Sequence, residues 1–402
     1  MEAGLDADTH KEMAPIADVR ATVLRTGTED PDLDGSSHTI LVEIEDVNGL
    51  VGIGEADSSS AAVQAVLMMS NEHRWNWGFT SVLLGEDPVQ VRALWNKLAA
   101  ATLYQGQGGI SRHALAAVDI ALHDLAGKQL GRPSFHLLGG ASRDQLTPYA
   151  TIWVAPHPDA TLRKQTDRTL ALMERAVQIG FSAVKMEVVF GDLASDQDLV
   201  ACIREGRQVV GDAVELLIDF GYRWSDWRDP LWVLSELEDC RLWLAEATLQ
   251  HSDLEGHARL AQRVQTRIGG AELASSFEEC RHWLEIGHID VLQADITRCG
   301  GLTEMRRVAD LAAMHGVLVV PHCWKTGINA AAARHFQAAT VNAPFVEMLS
   351  PELFDSPLRA ELVAPEPHVE AGHIPLPTLP GLGVELVPET VARYSVGDPA
   401  RI

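Results

Sequence analysis

A chain of 402 residues is long enough for two or three domains, and 46% hydrophobic residues allow a large buried core. Its 32 basic and 56 acidic residues leave a net charge of −24, which argues against nucleic acid and anionic membrane surfaces, because both require clustered Lys and Arg. No apolar run approaches the roughly 20 residues that cross a bilayer, and the acidic N-terminus lacks the apolar core of a signal peptide, so we expect a cytoplasmic protein.

The first third of the chain predicts an α+β domain over residues 15–143, preceded by a loose polar tail at residues 1–14. Two strand-like segments are joined by an Asn-Gly pair, Asn48-Gly49, which favours a hairpin turn. Segments with helical periodicity follow, and the later one ends at a Gly-x-Pro stop. The strand patterns lie at residues 39–46 and 50–57, and the clearest helical patterns lie at residues 89–103 and 111–131.

A different rhythm occupies residues 144–370, where eight short apolar runs alternate with helix-like stretches. The runs lie at residues 147–155, 183–189, 215–220, 242–248, 267–273, 290–296, 316–322 and 344–349. Eight βα units in about this length predict a (β/α)8 barrel of the TIM type. An open doubly wound sheet is the alternative, but no GxGxxG follows the first run. We expect residues 371–402 to pack back on the N-terminal domain.

Ionisable residues mark the ends of seven consecutive apolar runs. In chain order they are Lys185 with Glu187, Asp219, Glu246, Glu272, Asp295, His322 and Glu347. The carboxyl ends of barrel strands meet at one mouth, so these side chains are predicted to lie together. Any one of them could instead be a strand-end cap or an ion-pair partner. Burying so many without a ligand would be costly, and this favours an active site.

The residue types at these positions suit a particular chemistry. Asp219, Glu246 and Glu272 offer only oxygen donors from adjacent strands, which suits Mg²⁺, with Mn²⁺ as a second possibility. Such an ion can neutralise the charge on an enediolate when the proton α to a carboxylate leaves. Asp295 and His322 form a plausible pair in which the carboxylate orients a basic imidazole.

Several motifs resemble those of the enolase superfamily, in its mandelate racemase-like subgroup, over nearly the whole chain. They are Val51-Gly-Ile-Gly-Glu55, the helix segment 119–128, Leu137-Leu-Gly-Gly140 and the fourth-run segment 246–256. The resemblance implies an α+β capping domain, completed by the C-terminal segment, over a (β/α)8 barrel. It also implies that Asp219, Glu246 and Glu272 are metal ligands, that Asp295 and His322 are the catalytic dyad, and that Glu347 hydrogen-bonds substrate.

One departure from the family pattern bears directly on mechanism. The family usually ends its second barrel strand with Lys-x-Lys, whose second lysine is a base, whereas this chain has Lys185-Met186-Glu187. A carboxylate is a weaker base than a lysine amine, so His322 is predicted to be the sole base. Lys185 would then supply positive charge near the substrate carboxylate.

The resemblance implies a Mg²⁺-dependent dehydratase that converts an acid sugar, an aldonate or aldarate, to a 2-keto-3-deoxy acid. Two alternatives remain open: an isomerase (epimerase, racemase or lactone cycloisomerase), or a sugar-acid-binding protein that has lost catalysis. From their positions in loops after barrel strands, further side chains are predicted to contact a small carboxylate substrate; these are Arg223, His251, Arg298, Trp324 and Lys325. We also expect a homo-oligomer.

Overall fold

The computed structural model describes residues 13–27, 35–73, 75–155, 161–397 and 400–401. Residues 1–12 of the predicted tail therefore lie outside the described part. No helix within the described residues is both long and apolar enough to cross a membrane.

The N-terminal part is a four-stranded antiparallel sheet covered by four helices. Three of its strands are β1 Ile16–Arg25, β2 His38–Asp46 and β3 Val51–Ala56, and the fourth, β16 Ala400–Arg401, comes from the C-terminal end of the chain. Its helices are α1 Ser60–Leu67, α2 Phe79–Leu83, α3 Val91–Ala101 and α4 Ile110–Leu130. The predicted hairpin turn is confirmed, with Gly49 at a φ of 82°. Both predicted helices are confirmed as α3 and α4, and α4 ends at Gly131 in the left-handed conformation.

Helix α4 packs directly on strand β3 because two glycines leave room for it. A Cβ at Gly54 would lie 2.0 Å from the carbonyl oxygen of Ala117, and one at Gly52 would lie 2.2 Å from that of Ala121. Real Cβ atoms do not approach that closely, so any side chain here would push the helix away. The close contact fixes the position of β3, and the two residues that follow Gly54 along the chain, Glu55 and Ala56, complete that strand.

Eight parallel strands form a curled sheet that confirms the predicted barrel-type fold. They are β5 Pro148–Ile152, β6 Ala183–Glu187, β7 Glu215–Asp219, β8 Leu244–Glu246, β9 Arg267–Gly270, β10 Val291–Leu292, β11 Leu318–Val319 and β12 Val346–Met348. The order across the sheet is β11-β10-β9-β8-β7-β6-β5-β12, so each predicted run supplies one strand and chain neighbours pair. The two edge strands are linked by the Cys323 N–H, which donates to Glu347 Oε2 at 2.7 Å.

Helices connect successive strands of this sheet on its outer side. They are α5 Leu162–Ile179, α6 Asp196–Val210, α7 Arg228–Glu236, α8 Leu254–Ala261, α9 Phe277–Glu285, α10 Gly301–Met314 and α11 Gly327–Ala339, and α12 Pro357–Glu361 follows the last strand. Short 3-10 turns lie at Gly35–Ser37, Leu103–Gln105, Ser134–His136, Gly191–Leu193 and Glu238–Cys240. Strand β4, Gln145–Leu146, precedes the sheet.

The two-residue period of a strand explains why ionisable groups meet inside the sheet. Leu217 packs in a small cluster with residues of the other strands, whereas Leu216 and Ile218 join the cluster that includes the helices. Because side chains alternate between faces, Asp219 shares the inner face with Leu217. The same parity places Glu246 above Leu244, and Lys185 and Glu187 above Ala183. The inner face is therefore apolar below and ionisable at the carboxyl ends of the strands.

The part of the chain that follows α12 contacts both the barrel and the N-terminal sheet. It contains β13 Val363–Ala364, β14 Ile374–Pro375, β15 Glu385–Leu386, α13 Pro388–Tyr394 and β16 Ala400–Arg401. Strand β14 pairs with β4, and β16 pairs with β1. The domain boundaries given above, 15–143, 144–370 and 371–402, stay predictions.

Candidate active site

Three carboxylates from adjacent strands form a cluster at the mouth of the sheet. Asp219 ends β7, Glu246 ends β8 and Glu272 lies two residues beyond β9. One oxygen from each lies within 4.8 Å of the other two. The Gly221 N–H donates to Asp219 Oδ1 at 2.8 Å and fixes that carboxylate. A partly buried set of oxygen donors, with no Cys or His among them, fits a hard divalent cation.

Lys185 links this cluster to the last strand of the sheet. Its Nζ lies 3.1 Å from both carboxylate oxygens of Glu246 and 2.7 Å from Glu347 Oε1. Burial alone would lower the pKa of Lys185, but the charges of Glu246 and Glu347 raise it well above its usual value. The side chain therefore stays cationic although it is fully buried. Glu347 is held further by the Thr151 hydroxyl, which donates at 2.6 Å.

Asp295 and His322 form a hydrogen-bonded pair on the neighbouring loops. His322 Nδ1 lies 2.7 Å from Asp295 Oδ2, and the other Asp295 oxygen accepts from the Thr297 N–H and hydroxyl, both at 2.6 Å. The carboxylate can only accept, so Nδ1 carries a proton in both charge states of the ring, and Nε2 is the nitrogen that takes up or releases the second proton. Burial would lower the pKa of His322, but the hydrogen bond to Asp295 and the charge of Glu272 raise it to about 9. In the protein without a bound cation the ring is therefore protonated at neutral pH, and a cation that neutralised Glu272 would lower this pKa and favour the form in which Nε2 is a base.

Glu187 lies at the end of β6 and differs from the other acids of the mouth. Within the part of the chain that the structure describes, no hydrogen bond or ion pair holds its carboxyl group. Burial, together with the charge of Asp219, raises the pKa of Glu187 well above its usual value. In the protein without a bound cation this shift favours the neutral carboxylic acid over the carboxylate.

Three of the predicted substrate contacts lie on the dyad side of the mouth. The Trp324 ring is nearly parallel to the His322 imidazole, at an interplanar angle of 14° and a centroid distance of 6.3 Å. Arg298 and Lys325 are both ion-paired to Asp57, at 2.7 Å and 3.2 Å. Lys325 also donates to the carbonyl oxygens of residues 35 and 38. Both cations are thus engaged within the protein, and their contact with substrate stays a prediction.

The other two predicted contacts are not brought to the dyad. Arg223 is ion-paired to Asp196 at 3.0 Å and donates to the backbone carbonyl of Ala194 at 2.5 Å. His251 lines a cavity of about 440 Å³ with His113 of α4 and with Glu279, His282 and Trp283 of α9. Burial lowers the pKa of His251, so this ring is neutral at physiological pH. Their assignment to the substrate also stays a prediction.

Two acids that were not predicted as site residues, Glu55 and Asp57, reach the barrel from the N-terminal domain. Glu55 is fully buried, and its carboxylate accepts from the Thr326 hydroxyl at 2.8 Å and from the Asn329 N–H at 2.7 Å. Burial alone would raise the pKa of Asp57, but Lys325 and Arg298 lower it to about 2, so it is charged. The available signal was the pair of acids at the end of an otherwise apolar strand pattern.

The carboxylate cluster predicts a pH dependence of cation binding. Burial raises the pKa of Asp219 to about 6 and that of Glu246 to about 7, against the opposing charge of Lys185. A cation must displace these protons, so its affinity is expected to rise from pH 5 to pH 8, by about tenfold per pH unit for each proton released. Titration calorimetry with Mn²⁺ at several pH values measures this, and an affinity independent of pH would contradict it.

Comparison with known proteins gives matches over almost the whole chain. Residues 168–390 match the family described as enolase C-terminal domain-like, and residues 34–139 match the mandelate racemase/muconate lactonizing enzyme N-terminal domain. D-galactarolactone cycloisomerase of Agrobacterium fabrum is 31% identical over 369 residues, covering 90% of this chain and 92% of that protein. Arabinonate dehydratase of Saccharolobus solfataricus is 30% identical over 346 residues, covering 86% and 87%.

A solved structure that is described only provisionally as a racemase is also similar. It is 38% identical, covers 97% of this chain and 100% of its own, and has a TM-score of 0.90. These relatives bear the names of a cycloisomerase, a dehydratase and a racemase. Likeness alone therefore does not select one reaction.

Proposed function

Because the chain belongs to the mandelate racemase/muconate lactonizing enzyme family of the enolase superfamily, we propose that it dehydrates an acid sugar to a 2-keto-3-deoxy acid. The observation that carries this proposal is the Asp295–His322 pair, at 2.7 Å, beside a cluster of three carboxylates. The pair supplies a base for the proton α to a carboxylate. The cluster supplies a place for the cation on which that substrate carboxylate would bind. The dehydratase relative is in line with this assignment.

We propose Mg²⁺ as the cation, held by Asp219, Glu246 and Glu272, with Mn²⁺ as a functional substitute. When bound, the ion stabilises the negative charge that develops on the substrate carboxylate as the α-proton leaves. Lys185 adds a fixed positive charge to the same region and keeps Glu246 oriented through its two 3.1 Å contacts. Glu347 is oriented by three donors and is proposed to accept a hydrogen bond from the substrate.

His322 is proposed to take the α-proton at Nε2, since Asp295 holds Nδ1 in its protonated form. The imidazolium that results carries a proton on the same face of the substrate. It can donate this proton to the β-hydroxyl group as that group leaves as water. One residue then serves as base and acid in turn, so dehydration needs no base on the opposite face.

A lactone cycloisomerase is the second candidate, and two observations favour it. The relative with 31% identity bears that name. A cycloisomerase also needs only one base, so the raised pKa of Glu187, which favours its neutral form, is compatible with it.

Racemisation that uses one base on each face is less well supported, because the second lysine of the family pattern is absent. A binding protein without catalysis is disfavoured by the intact base and its orienting carboxylate. Homo-oligomeric assembly and a cytoplasmic location stay predictions.

The test is a panel of aldonates, aldarates and their lactones incubated with the protein and Mg²⁺. The expected result is that the wild type forms a 2-keto acid, detected as its semicarbazone, from at least one open-chain acid. The variant His322→Asn should form no 2-keto acid from any of them. Lactone turnover without a 2-keto acid would favour the cycloisomerase. Exchange of the α-proton in D₂O without dehydration would favour an epimerase or racemase. Binding of an acid sugar with neither product nor exchange would overturn the enzymatic assignment.

A further inference from the structure

Asp57 of the N-terminal domain lies against the dyad although it belongs to a different domain. It directly follows strand β3 and is buried, with 5% of its surface exposed. One of its carboxylate oxygens and one ligating atom from each of Asp295 and His322 lie within 4.8 Å of one another. This grouping is not free to hold a metal ion, because Asp295 and His322 are bonded to each other and Asp57 already binds two cationic side chains.

The two cations come from the two loops that carry the dyad. Arg298 lies three residues after Asp295, and its Nη2 is 2.7 Å from Asp57 Oδ2. Lys325 lies three residues after His322, and its Nζ is 3.2 Å from Asp57 Oδ1. Each oxygen of one carboxylate thus holds one of the two loops. Each loop therefore carries one residue of the dyad and one cation that is paired with Asp57.

A second path runs through the backbone of the same residue. The Asp57 N–H donates to the Thr297 hydroxyl oxygen at 3.2 Å. The Thr297 hydroxyl in turn donates to Asp295 Oδ1 at 2.6 Å. A chain of hydrogen bonds therefore leads from Asp57 through Thr297 and Asp295 to His322.

We propose that Asp57 is a positioning residue that holds the Asp295 and His322 loops in register for proton abstraction. Without its charge, the buried ammonium of Lys325 and the mostly buried guanidinium of Arg298 would face each other beside the imidazole. Uncompensated buried charges of the same sign repel, so at least one loop would move. The 2.7 Å hydrogen bond between His322 Nδ1 and Asp295 Oδ2 would then be disturbed. Through Asp57 and these two loops, the N-terminal domain controls the position of the base. This inference rests on the proposed function.

General docking of the two domains is a separate role that other residues fill. Asp119 of helix α4 is also a buried acid of the N-terminal domain, and its Oδ2 accepts from the barrel Thr303 N–H at 2.9 Å. It contacts no residue of the dyad or of the carboxylate cluster. Asp119→Asn is therefore a matched control that perturbs a buried contact between domains at the start of α10, and not at Asp295, His322 or the two cations paired with Asp57.

The kinetic test compares Asp57→Asn and Asp119→Asn on whichever acid the wild type turns over. For Asp57→Asn we expect kcat to fall by about 10- to 100-fold while KM changes less than about threefold, because positioning of the base matters most in the transition state. Asp57→Glu, which keeps the charge, should recover part of kcat. Asp119→Asn should keep kcat within about twofold and lower only the melting temperature. Equal losses of kcat in the two asparagine variants would overturn the proposal.

A second measurement does not depend on turnover. The Nδ1 proton of His322 that bonds Asp295 should give a low-field proton resonance in the wild type that is absent from His322→Asn. We expect this resonance to shift or broaden in Asp57→Asn and to stay unchanged in Asp119→Asn. An unchanged resonance in Asp57→Asn would overturn the positioning role. If the wild type acts on no acid in the panel, the proposed function fails, and this spectrum still decides the role of Asp57 at the dyad.

Discussion

Replacing His322 by asparagine is expected to lower turnover by about 10³- to 10⁴-fold and to abolish exchange of the substrate α-proton. Asparagine keeps a similar volume and some hydrogen bonding, but its amide cannot accept the proton at neutral pH. The loss is at the upper end of what a positioned general base contributes and corresponds to about 4–5.5 kcal/mol of activation free energy. Product formation and α-proton exchange in D₂O measure the two effects separately.

Glu187→Gln is the matched comparison because it keeps the shape of a residue that also lies at the end of a barrel strand. Under a one-base mechanism its turnover should fall by no more than about ten- to a hundredfold, or about 1.4–2.7 kcal/mol. The turnover of Asp295→Asn should lie between those of His322→Asn and Glu187→Gln, because this change leaves the imidazole in place but disturbs its tautomer. If Glu187→Gln stops proton exchange as fully as His322→Asn, Glu187 is a second base or an obligatory acid, and an isomerase becomes the better assignment.

Removal of divalent cations by EDTA is expected to abolish activity, and added Mg²⁺ or Mn²⁺ should restore it. The reason is that Asp219, Glu246 and Glu272 converge within 4.8 Å, and that among the described residues Lys185 is the only cation ion-paired with their carboxylates. Full activity in a metal-free preparation would contradict the site. A crystal structure with Mg²⁺ should place one oxygen of each carboxylate about 2.0–2.1 Å from the ion.

The same site can be tested without a substrate. A ligand that binds only the folded state stabilises it by about 2.7 kcal/mol at 100 times its dissociation constant, so Mg²⁺ should raise the melting temperature of the wild type. Glu272→Gln removes one ligand charge and should remove most of that increase. Glu352→Gln, which alters an exposed acid paired with Arg175, is the control and should respond to Mg²⁺ as the wild type does. Equal responses in all three proteins would argue against the carboxylate cluster as the binding site.

The sequence predicted the barrel and the inner positions of its acids because both follow from local patterns. An apolar run of suitable length becomes a strand, and the alternation of side chains decides that Asp219 shares a face with Leu217. The loop position of Arg223 predicts a substrate contact but does not predict its ion pair with Asp196, 27 residues earlier. The partner of Arg298 lies 241 residues away. No local pattern encodes such pairs, since the first depends on how two barrel loops pack and the second on how the N-terminal domain lies on the barrel.

The contacts of Glu55 set a condition on how this protein can be divided. Its carboxylate accepts from Thr39 on its own side and from Thr326 and Asn329 of the barrel. A fragment that ends before the barrel would leave this buried acid with Thr39 alone, and a barrel expressed by itself would leave the Thr326 hydroxyl and the Asn329 N–H at the start of α11 without their acceptor. Recombination that exchanges one half for that of a distant relative must therefore carry matching partners at these positions.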